Sequence, residues 1–130
     1  MYFSQVINNR VNFVSVQREF RTNEGSTDYA TIPEVTLAGD FVIEFELSTI
    51  ANSNSAILGS ASSIDITMLS SGFVRLADGV TAITSNITVN DGAFHKVAVS
   101  REEGAVSFFV DGIPAGGGVS SASLLFEQLY

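Results

Sequence analysis

The chain of 130 residues contains no cysteine and no tryptophan, and it has a single histidine. Without cysteine there is no disulfide framework, no thiolate zinc site and no cysteine nucleophile. A lone histidine cannot share a metal ion with a second imidazole, and catalysis through it needs a neighbouring nucleophile or acid that the sequence does not identify. Disulfide scaffolds, thiolate zinc proteins and cysteine hydrolases are therefore excluded.

Basic residues are scarce. Six lysines and arginines stand against fourteen aspartates and glutamates, which gives a net charge of -8. Phosphate backbones and anionic glycans are held by lysine and arginine, so nucleic acid and heparin-like ligands are poor candidates. An anionic membrane surface is disfavoured for the same reason. No apolar run approaches the ~20 residues of a membrane-spanning helix, and we expect no membrane insertion.

The proportions of apolar and charged residues indicate a folded domain that binds a partner. Apolar residues make up 45% of the chain and charged residues 15%, which is typical of a globular protein. The mean hydropathy of +0.30 is high for a free monomer. It indicates more apolar surface than one small core buries, and we therefore expect a protein partner or a homo-oligomer.

The dominant pattern is an alternation of apolar and polar residues with a period of two. In residues 41–48 (FVIEFELS) every apolar odd position falls on one face, and Glu44, Glu46 and Ser48 fall on the other. Such runs are typical of half-buried strands. No segment carries the apolar stripe of an amphipathic helix, so the sequence predicts about ten or more short strands and almost no helix. The same alternation recurs in residues 64–68, 95–101 and 106–110.

Turn residues separate these runs. Asp-Gly pairs at 78–79, 91–92 and 111–112 predict tight turns, because glycine adopts positive φ without steric cost. The glycines at 116–118 are interpreted as a flexible loop. Short strands without intervening helices must pair antiparallel and stack or close, so the fold class is an all-β antiparallel β-sandwich.

Two neighbouring segments carry a motif. Residues 91–101 (DGAFHKVAVSR) are followed by 105–112 (AVSFFVDG), and this pair resembles the laminin-G-like, or concanavalin A-like, jelly-roll superfamily, in the form found in bacteriophage tail and surface proteins. Residues 28–33 and 39–46 are similar to its first two core strands. The resemblance implies that the motif residues have structural roles: Asp91, Gly92, Phe94, His95, Arg101, Asp111 and Gly112. Phe94 is expected to anchor the start of its strand, and His95 to hydrogen-bond a neighbouring strand or loop.

The resemblance divides the chain into an N-terminal strand or arm (residues 1–19) and a laminin-G-like sandwich (20–130). Family members usually continue through further strands beside the first, so three alternatives stay open. The domain lacks its last strands, or the segment around residues 6–16 takes their place, or a neighbouring chain supplies a strand. Strand donation between subunits is our preferred hypothesis, because an unpaired sheet edge invites aggregation.

The same resemblance raises two further possibilities, an enzymatic role and a calcium site. Related β-glucanases place three carboxylates at alternate positions of one strand, whereas here Glu44 and Glu46 are followed by Ser48 and tryptophan is absent. Both glutamates are interpreted as a solvated strand face, and we expect no enzymatic activity. Laminin-G-like domains often bind calcium, with Asp78 as the candidate ligand here. No other cofactor is expected.

The sequence therefore predicts a non-enzymatic structural protein of the virion or cell surface, outside the cell, that assembles with other subunits as a decoration or tail component. The alternative is an adhesin or lectin-like module that binds a surface glycan or a host receptor. The phenylalanines at 3, 13, 73, 109 and 126 cannot all face one core if the alternation holds. The candidate interface residues among them are Phe3, Phe13 and Phe109.

Overall fold

Twelve β-strands account for most of the chain that the structure, a computed structural model, describes. It describes residues 3–7, 10–12, 30–61 and 63–129, with side chains at 34–61 and 63–128. No helix in these ranges could cross a membrane. The strands are β1 (Phe3–Ile7), β2 (Arg10–Asn12), β3 (Ala30–Leu37), β4 (Phe41–Ser48), β5 (Ser55–Gly59), β6 (Ile64–Met68), β7 (Val74–Asp78), β8 (Ala82–Thr84), β9 (Phe94–Glu102), β10 (Ala105–Val110), β11 (Ile113–Val119) and β12 (Leu124–Leu129).

The strands form two sheets of six that enclose one apolar core. Sheet A has the order β11-β10-β9-β4-β1-β2, and sheet B has the order β3-β12-β5-β6-β7-β8. The strand pairs in both sheets are antiparallel. The predicted class, an all-β antiparallel sandwich with almost no helix, is confirmed.

The period-two pattern of the sequence matches the burial of the strands. In β4 the odd-numbered side chains from Phe41 to Leu47 are at most 4% exposed, while the even-numbered ones lie on the outer face. The core is filled from both sheets, by Phe45 and Phe108 of sheet A and by Phe126 of sheet B. Phe126 therefore belongs to the core.

Two hairpins of sheet A use the same backbone geometry. The β9–β10 turn has positive φ at Glu103 (48°) and Gly104 (83°), and the β10–β11 turn has positive φ at Asp111 (53°) and Gly112 (78°). Two consecutive residues with positive φ give a turn whose twist matches that of the flanking strands. The predicted turn at 111–112 is confirmed. The turn at 103–104 has only one glycine, and the sequence marks it less clearly.

The N-terminal strands extend sheet A. β1 pairs with β4 along its whole length, and β2 pairs with β1. In sheet B the last strand, β12, lies between β3 and β5. β3 is an edge strand, and it accommodates Pro33 beside an irregularity in its pairing with β12. Of the segment around residues 6–16, residues 6–7 and 10–12 thus lie in the sheet, and residues 8–9 and 13–16 are outside the described ranges.

The glycine run at 116–118 is part of β11, so its interpretation as a loop was wrong. A β-carbon on Gly117 would collide with the carbonyl oxygen of Val106, and one on Gly118 would lie 3.1 Å from Ile83 of β8. The backbone N–H of Asn86 donates to the Ala115 carbonyl at 2.9 Å. Because these glycines lack side chains, the edge of sheet A can approach the edge of sheet B.

The buried guanidinium of Arg101 holds several chain segments together. The residue is 3% exposed. Its Nε donates to the Gly39 carbonyl (2.9 Å) and its Nη2 to the Leu37 carbonyl (3.1 Å). Its Nη1 donates to the carbonyls of Ala122 (2.7 Å) and Ser120 (3.4 Å). The end of β3, the β3–β4 turn and the β11–β12 connection are therefore fixed to β9 through one side chain.

Ser120 extends this network to a carboxylate. Its hydroxyl donates to Oδ2 of Asp78 at 2.6 Å, while its carbonyl accepts from Arg101. The Arg101 guanidinium also lies 4.9 Å from the centre of the Phe41 ring. Burial lowers the pKa of Arg101, and the negative charges of Asp40 and Asp78 oppose that shift. A cation and an anion are thus kept inside the sandwich with their hydrogen bonds satisfied.

We expect Arg101→Met to lower the free energy of unfolding by about 3–5 kcal/mol, because four carbonyls lose their donor inside the protein. Arg75→Met is the matched control. Arg75 is half-buried and pairs with Asp65 at 3.4 Å, and a pair this exposed contributes about 1 kcal/mol or less. Urea unfolding of both variants measures the difference. Equal losses would contradict the role given to Arg101.

We expect Gly117→Ala to destabilise the fold by about 3 kcal/mol, since the new methyl group must displace the β10 backbone. Gly112→Ala serves as the control. No atom lies within 4 Å of the position of its β-carbon, so only the positive φ opposes it, at about 1 kcal/mol. Thermal unfolding followed by circular dichroism compares the two. A smaller loss for Gly117→Ala than for Gly112→Ala would contradict the close approach of β11 to β10.

Candidate ligand-binding groove and histidine clasp

The sequence motif forms a clasp between two turns at one end of the sandwich. Nδ1 of His95 lies 2.7 Å from Oδ2 of Asp111, and Nε2 lies 2.7 Å from Oδ1 of Asp91. The histidine side chain is 13% exposed, whereas Asp91 and Asp111 are 61% and 45% exposed. The expectation that His95 hydrogen-bonds a neighbouring loop agrees with this geometry. We refer to Asp91, His95 and Asp111 as the histidine clasp.

The histidine clasp favours a charged imidazole. An ionised carboxylate only accepts hydrogen bonds, so both ring nitrogens must donate, and only the imidazolium form does so. The bond to Asp111, followed by the bond to Asp91, raises the pKa of His95 against a smaller opposing effect of burial. The bond to His95 in turn lowers the pKa of Asp91 and of Asp111.

Each carboxylate of the clasp also organises its own turn. Oδ1 of Asp91 accepts the N–H of Ala93 (3.0 Å), and Oδ1 of Asp111 accepts the N–H of Lys96 (2.9 Å). The N–H of Asp111 donates back to the carbonyl of Lys96 at 2.8 Å. The start of β9 is therefore fixed to the β10–β11 turn through both the side chain and the backbone of Asp111.

Phe94 does not anchor the start of β9, and that expectation was wrong. Its side chain is 80% exposed. Phe94 lies on the outer face of β9 with Lys96, whereas His95 lies on the inner face with Val97 and Arg101. Ser48 and Gly92 hold this end instead. The Ser48 hydroxyl donates to the Gly92 carbonyl at 3.0 Å, and the N–H of Gly92 donates to the Thr49 carbonyl at 2.9 Å.

A groove of about 610 Å³ lies on the outer face of sheet A. Ala98 and Ser100 occupy consecutive outer positions on β9, between Phe109 on β10 and the β4 side chains. Because the β9 residues are small and their neighbours are larger, the face is hollow along β9. The described residues that line it are Asp40, Phe41, Val42, Glu44, Lys96, Ala98, Ser100, Arg101, Glu102, Phe109 and Gly112.

The groove combines the half-buried ring of Phe109 with charged groups, mostly acidic. The ammonium of Lys96 lies 3.5 Å from Oε2 of Glu44. Asp40 and Glu102 add carboxylates at the other end, while the Arg101 guanidinium is turned to the carbonyls described above. The exposed charge of the described lining residues is therefore negative, with Lys96 as the accessible cation among them.

The candidate residues from the sequence fall in different places. Phe109, an interface candidate, lines the groove together with Gly112. Phe3 lies in β1 opposite Phe45, and Phe13 lies outside the described residues. Glu44, interpreted as part of a solvated face, is half-buried and paired with Lys96. Sequence reasoning missed the groove, although small residues at successive outer positions of β9 were its signal.

Asp78, the candidate calcium ligand, has its carboxylate occupied by hydrogen bonds. Oδ1 accepts the N–H groups of Val80 (2.8 Å) and Thr81 (2.6 Å), and Oδ2 accepts the hydroxyls of Thr81 (3.1 Å) and Ser120 (2.6 Å). Burial alone raises the pKa of Asp78, but these hydrogen bonds together outweigh it and lower the pKa to about 2. Within the described residues, no three His, Cys, Asp or Glu side chains are grouped to hold a metal ion.

Two six-stranded antiparallel sheets, one of which carries a groove on its outer face, define a β-sandwich. The chain belongs to the concanavalin A-like lectin/glucanases superfamily, because residues 24–128 match the model of its laminin-G-type family. This finding confirms the family resemblance and leaves the phage context without support. None of the curated proteins matches the chain.

We expect the stabilising contribution of Asp78 to be lost in acid. Its pKa is lowered, so the contribution is present above about pH 4 and falls as the pH approaches the folded value of about 2. Asp78→Asn should therefore cost on the order of 1–2 kcal/mol at neutral pH and progressively less below about pH 4. Urea unfolding of both proteins across this range measures the difference. A constant difference would contradict the ionised state of Asp78.

Proposed function

We propose that this domain is a non-catalytic, lectin-like module that binds a neutral oligosaccharide in the groove of sheet A. The observation that carries the proposal is the combination, in one groove of about 610 Å³, of the Phe109 ring with the polar groups of Glu44, Lys96 and Ser100. The volume falls within the range of about 300–1,000 Å³ that is common for small-ligand sites. Membership of a superfamily named for lectins and glucanases supports the same ligand class.

A sugar fits this mixture of groups. Pyranose rings have an apolar face of C–H groups and an edge of hydroxyls. The exposed side of the Phe109 ring offers an apolar surface for the former. The Glu44 carboxylate accepts hydrogen bonds from hydroxyls, and the Lys96 ammonium donates to them, as members of the pair at 3.5 Å. The open groove gives room for an extended chain of sugars.

The charge of the groove selects against acidic glycans. Asp40, Glu44 and Glu102 line it, with Lys96 as the accessible counter-charge, and the whole chain carries a net charge of -8. An anionic sugar would be repelled on approach and would displace part of the Glu44–Lys96 pair. We therefore propose a neutral glycan and exclude sulfated or sialylated ones.

The side chains near Glu44 favour binding over hydrolysis. A retaining glycosidase needs a nucleophile and a proton donor about 5 Å apart. The Glu44 carboxylate is paired with Lys96, and at the third alternate position of β4 the Ser48 hydroxyl is directed to the Gly92 carbonyl. Glu46 is exposed and is not among the lining residues. Among the described residues, neither of the next two alternate positions of β4 therefore supplies a proton donor in the groove beside Glu44.

A second candidate is protein assembly, favoured by exposed apolar side chains at the end of the sandwich that bears the clasp. Phe94 is 80% exposed and Ile50 is 73% exposed. The two lie near the same turn, since Ser48 is opposite Phe94 and a β-carbon on Gly92 would be 3.1 Å from Ile50. Under this proposal, the partners are other subunits of a virion or cell surface, or copies of the chain exchanging strands.

Phe109→Ala and Phe94→Ala distinguish the two candidates. Phe109→Ala should weaken oligosaccharide binding by roughly 30-fold, because truncating an aromatic contact residue typically costs about 2 kcal/mol. Phe94→Ala should leave the same binding unchanged, since Phe94 is not among the groove residues. Calorimetric titration with neutral gluco- and galacto-oligosaccharides measures both affinities.

Sedimentation of the same two variants tests assembly. If the wild type is an oligomer that Phe94→Ala dissociates and no oligosaccharide binds it, the lectin-like proposal fails and the assembly candidate stands. Glycan binding that survives Phe109→Ala would remove the groove as the site. Release of reducing sugar from a bound glucan would overturn the non-catalytic assignment.

A further inference from the structure

The two ends of β10 provide an internal comparison. The Glu103–Gly104 and Asp111–Gly112 turns have almost the same pairs of positive φ values. Only the second is bonded to a histidine, through Nδ1 of His95 and Oδ2 of Asp111 at 2.7 Å. The first is bonded through its backbone instead, with the N–H of Glu103 donating to Oδ1 of Asp40 at 2.9 Å. Similar hairpins are therefore held through a histidine at one end of β10 and without one at the other.

The histidine clasp is connected to the groove through Asp111. Its Oδ2 contacts His95, and its Oδ1 accepts the backbone N–H of Lys96. Lys96 and Gly112, the residue after Asp111, both line the groove. The position of the Asp111 carboxylate thus fixes one end of the groove together with its accessible cation.

The clasp needs a proton on each ring nitrogen. Neutral imidazole has one N–H donor and one nitrogen with a lone pair. Placed between two ionised carboxylates at 2.7 Å, the unprotonated nitrogen faces an acceptor, and the contact becomes repulsive. Because the ring is rigid, the movement that relieves one contact also disturbs the other. Loss of one proton therefore loosens Asp111 as well as Asp91.

We propose that the histidine clasp is a pH-operated latch on the groove: it holds the Lys96 and Gly112 end in its binding shape while His95 is protonated, and it releases that end when His95 loses its proton. The regulatory part rests on the proposed function, because it requires the groove to be a binding site. The opening of the turn itself depends only on the clasp geometry.

The sign of the effect follows from the two carboxylates. They raise the pKa of His95 above its ordinary value of about 6.5, so the stabilisation is complete below that value and is lost as the pH rises through the folded pKa. The lowered pKa values of Asp91 and Asp111 keep the clasp intact in weak acid. In the part of the chain that the structure describes, the other charges near this end of β9 are those of Lys96 and Glu44, which pair with each other, and of Glu46, opposite Lys96 in the register.

Amide hydrogen exchange on the full chain, without any ligand, tests the latch. The ring resonances of the single histidine give its titration directly. After correction for intrinsic exchange, opening at the Asp111 N–H, which donates to the Lys96 carbonyl, should increase about tenfold relative to the Glu103 N–H, which donates to Asp40, as His95 loses its proton. A factor of about ten corresponds to the loss of one hydrogen bond between charged groups. Asp111 exchange that follows Glu103 exchange at every pH would overturn the latch.

Asp91→Asn is a sharper control than removal of the histidine. An asparagine amide N–H can donate to an unprotonated Nε2 while Nδ1–H still donates to Asp111, so neutral His95 satisfies this variant. We expect the pH-dependent opening at the Asp111 N–H to disappear in Asp91→Asn. In His95→Gln the turn should be loose at all pH values. A wild-type profile that persists in Asp91→Asn would contradict the repulsion on which the latch depends.

Titration with the same neutral gluco- and galacto-oligosaccharides at several pH values tests the link to the groove. Wild-type affinity should fall about tenfold as His95 deprotonates, the change expected when one hydrogen bond between charged groups is lost, whereas the affinity of Asp91→Asn should not change with pH. Affinity that is independent of pH in a turn that opens would overturn the regulatory part alone. A turn that opens as described while no neutral oligosaccharide binds at any pH would refute the proposed function and the regulatory part, and leave only the opening.

Discussion

The buried positive charge of Arg101 connects segments from both sheets of this sandwich. The Arg101 guanidinium is removed from water, so it requires acceptors on all its donor nitrogens. Carbonyls from the end of β3, the β3–β4 turn and the β11–β12 connection supply them. These segments can converge only if both sheets are formed and in register. The arginine therefore ties connections at one end of the fold to the correct pairing of its strands.

Charged side chains bracket the central strand of sheet A. Arg101 lies near the end of β9 and His95 near its start, and both side chains are on the face of the strand that points to the core. Each side chain hydrogen-bonds a turn that connects other strands. Between them Val97 and Val99 complete the apolar core. The outer face of the same strand is left with Ala98 and Ser100, over which the groove lies. One strand thus serves the fold with one face and the candidate site with the other.

Local patterns predicted the fold class and most of the strands, because alternation and Asp-Gly turns are properties of neighbouring residues. The histidine of the motif was expected to bind a loop, but the identity of both partners depends on strand register, which sequence spacing does not reveal. Gly117 looked like loop composition, whereas its role is set by the carbonyl of Val106 on another strand. The prediction that Phe94 anchors its strand was wrong, although the alternation already places Phe94 and His95 on opposite faces of β9. The groove was missed because it is the product of relative side-chain sizes on three strands.

The small side chains under the groove have an evolutionary consequence. Ala98 and Ser100 point away from the core, so replacing either alters the depth and polarity of the groove without removing a contact between the sheets. Shape on the outer face can therefore drift while the inner face continues to satisfy the same packing constraints. A sandwich built this way is suited to acquiring new recognition properties by single substitutions, with little loss of foldability.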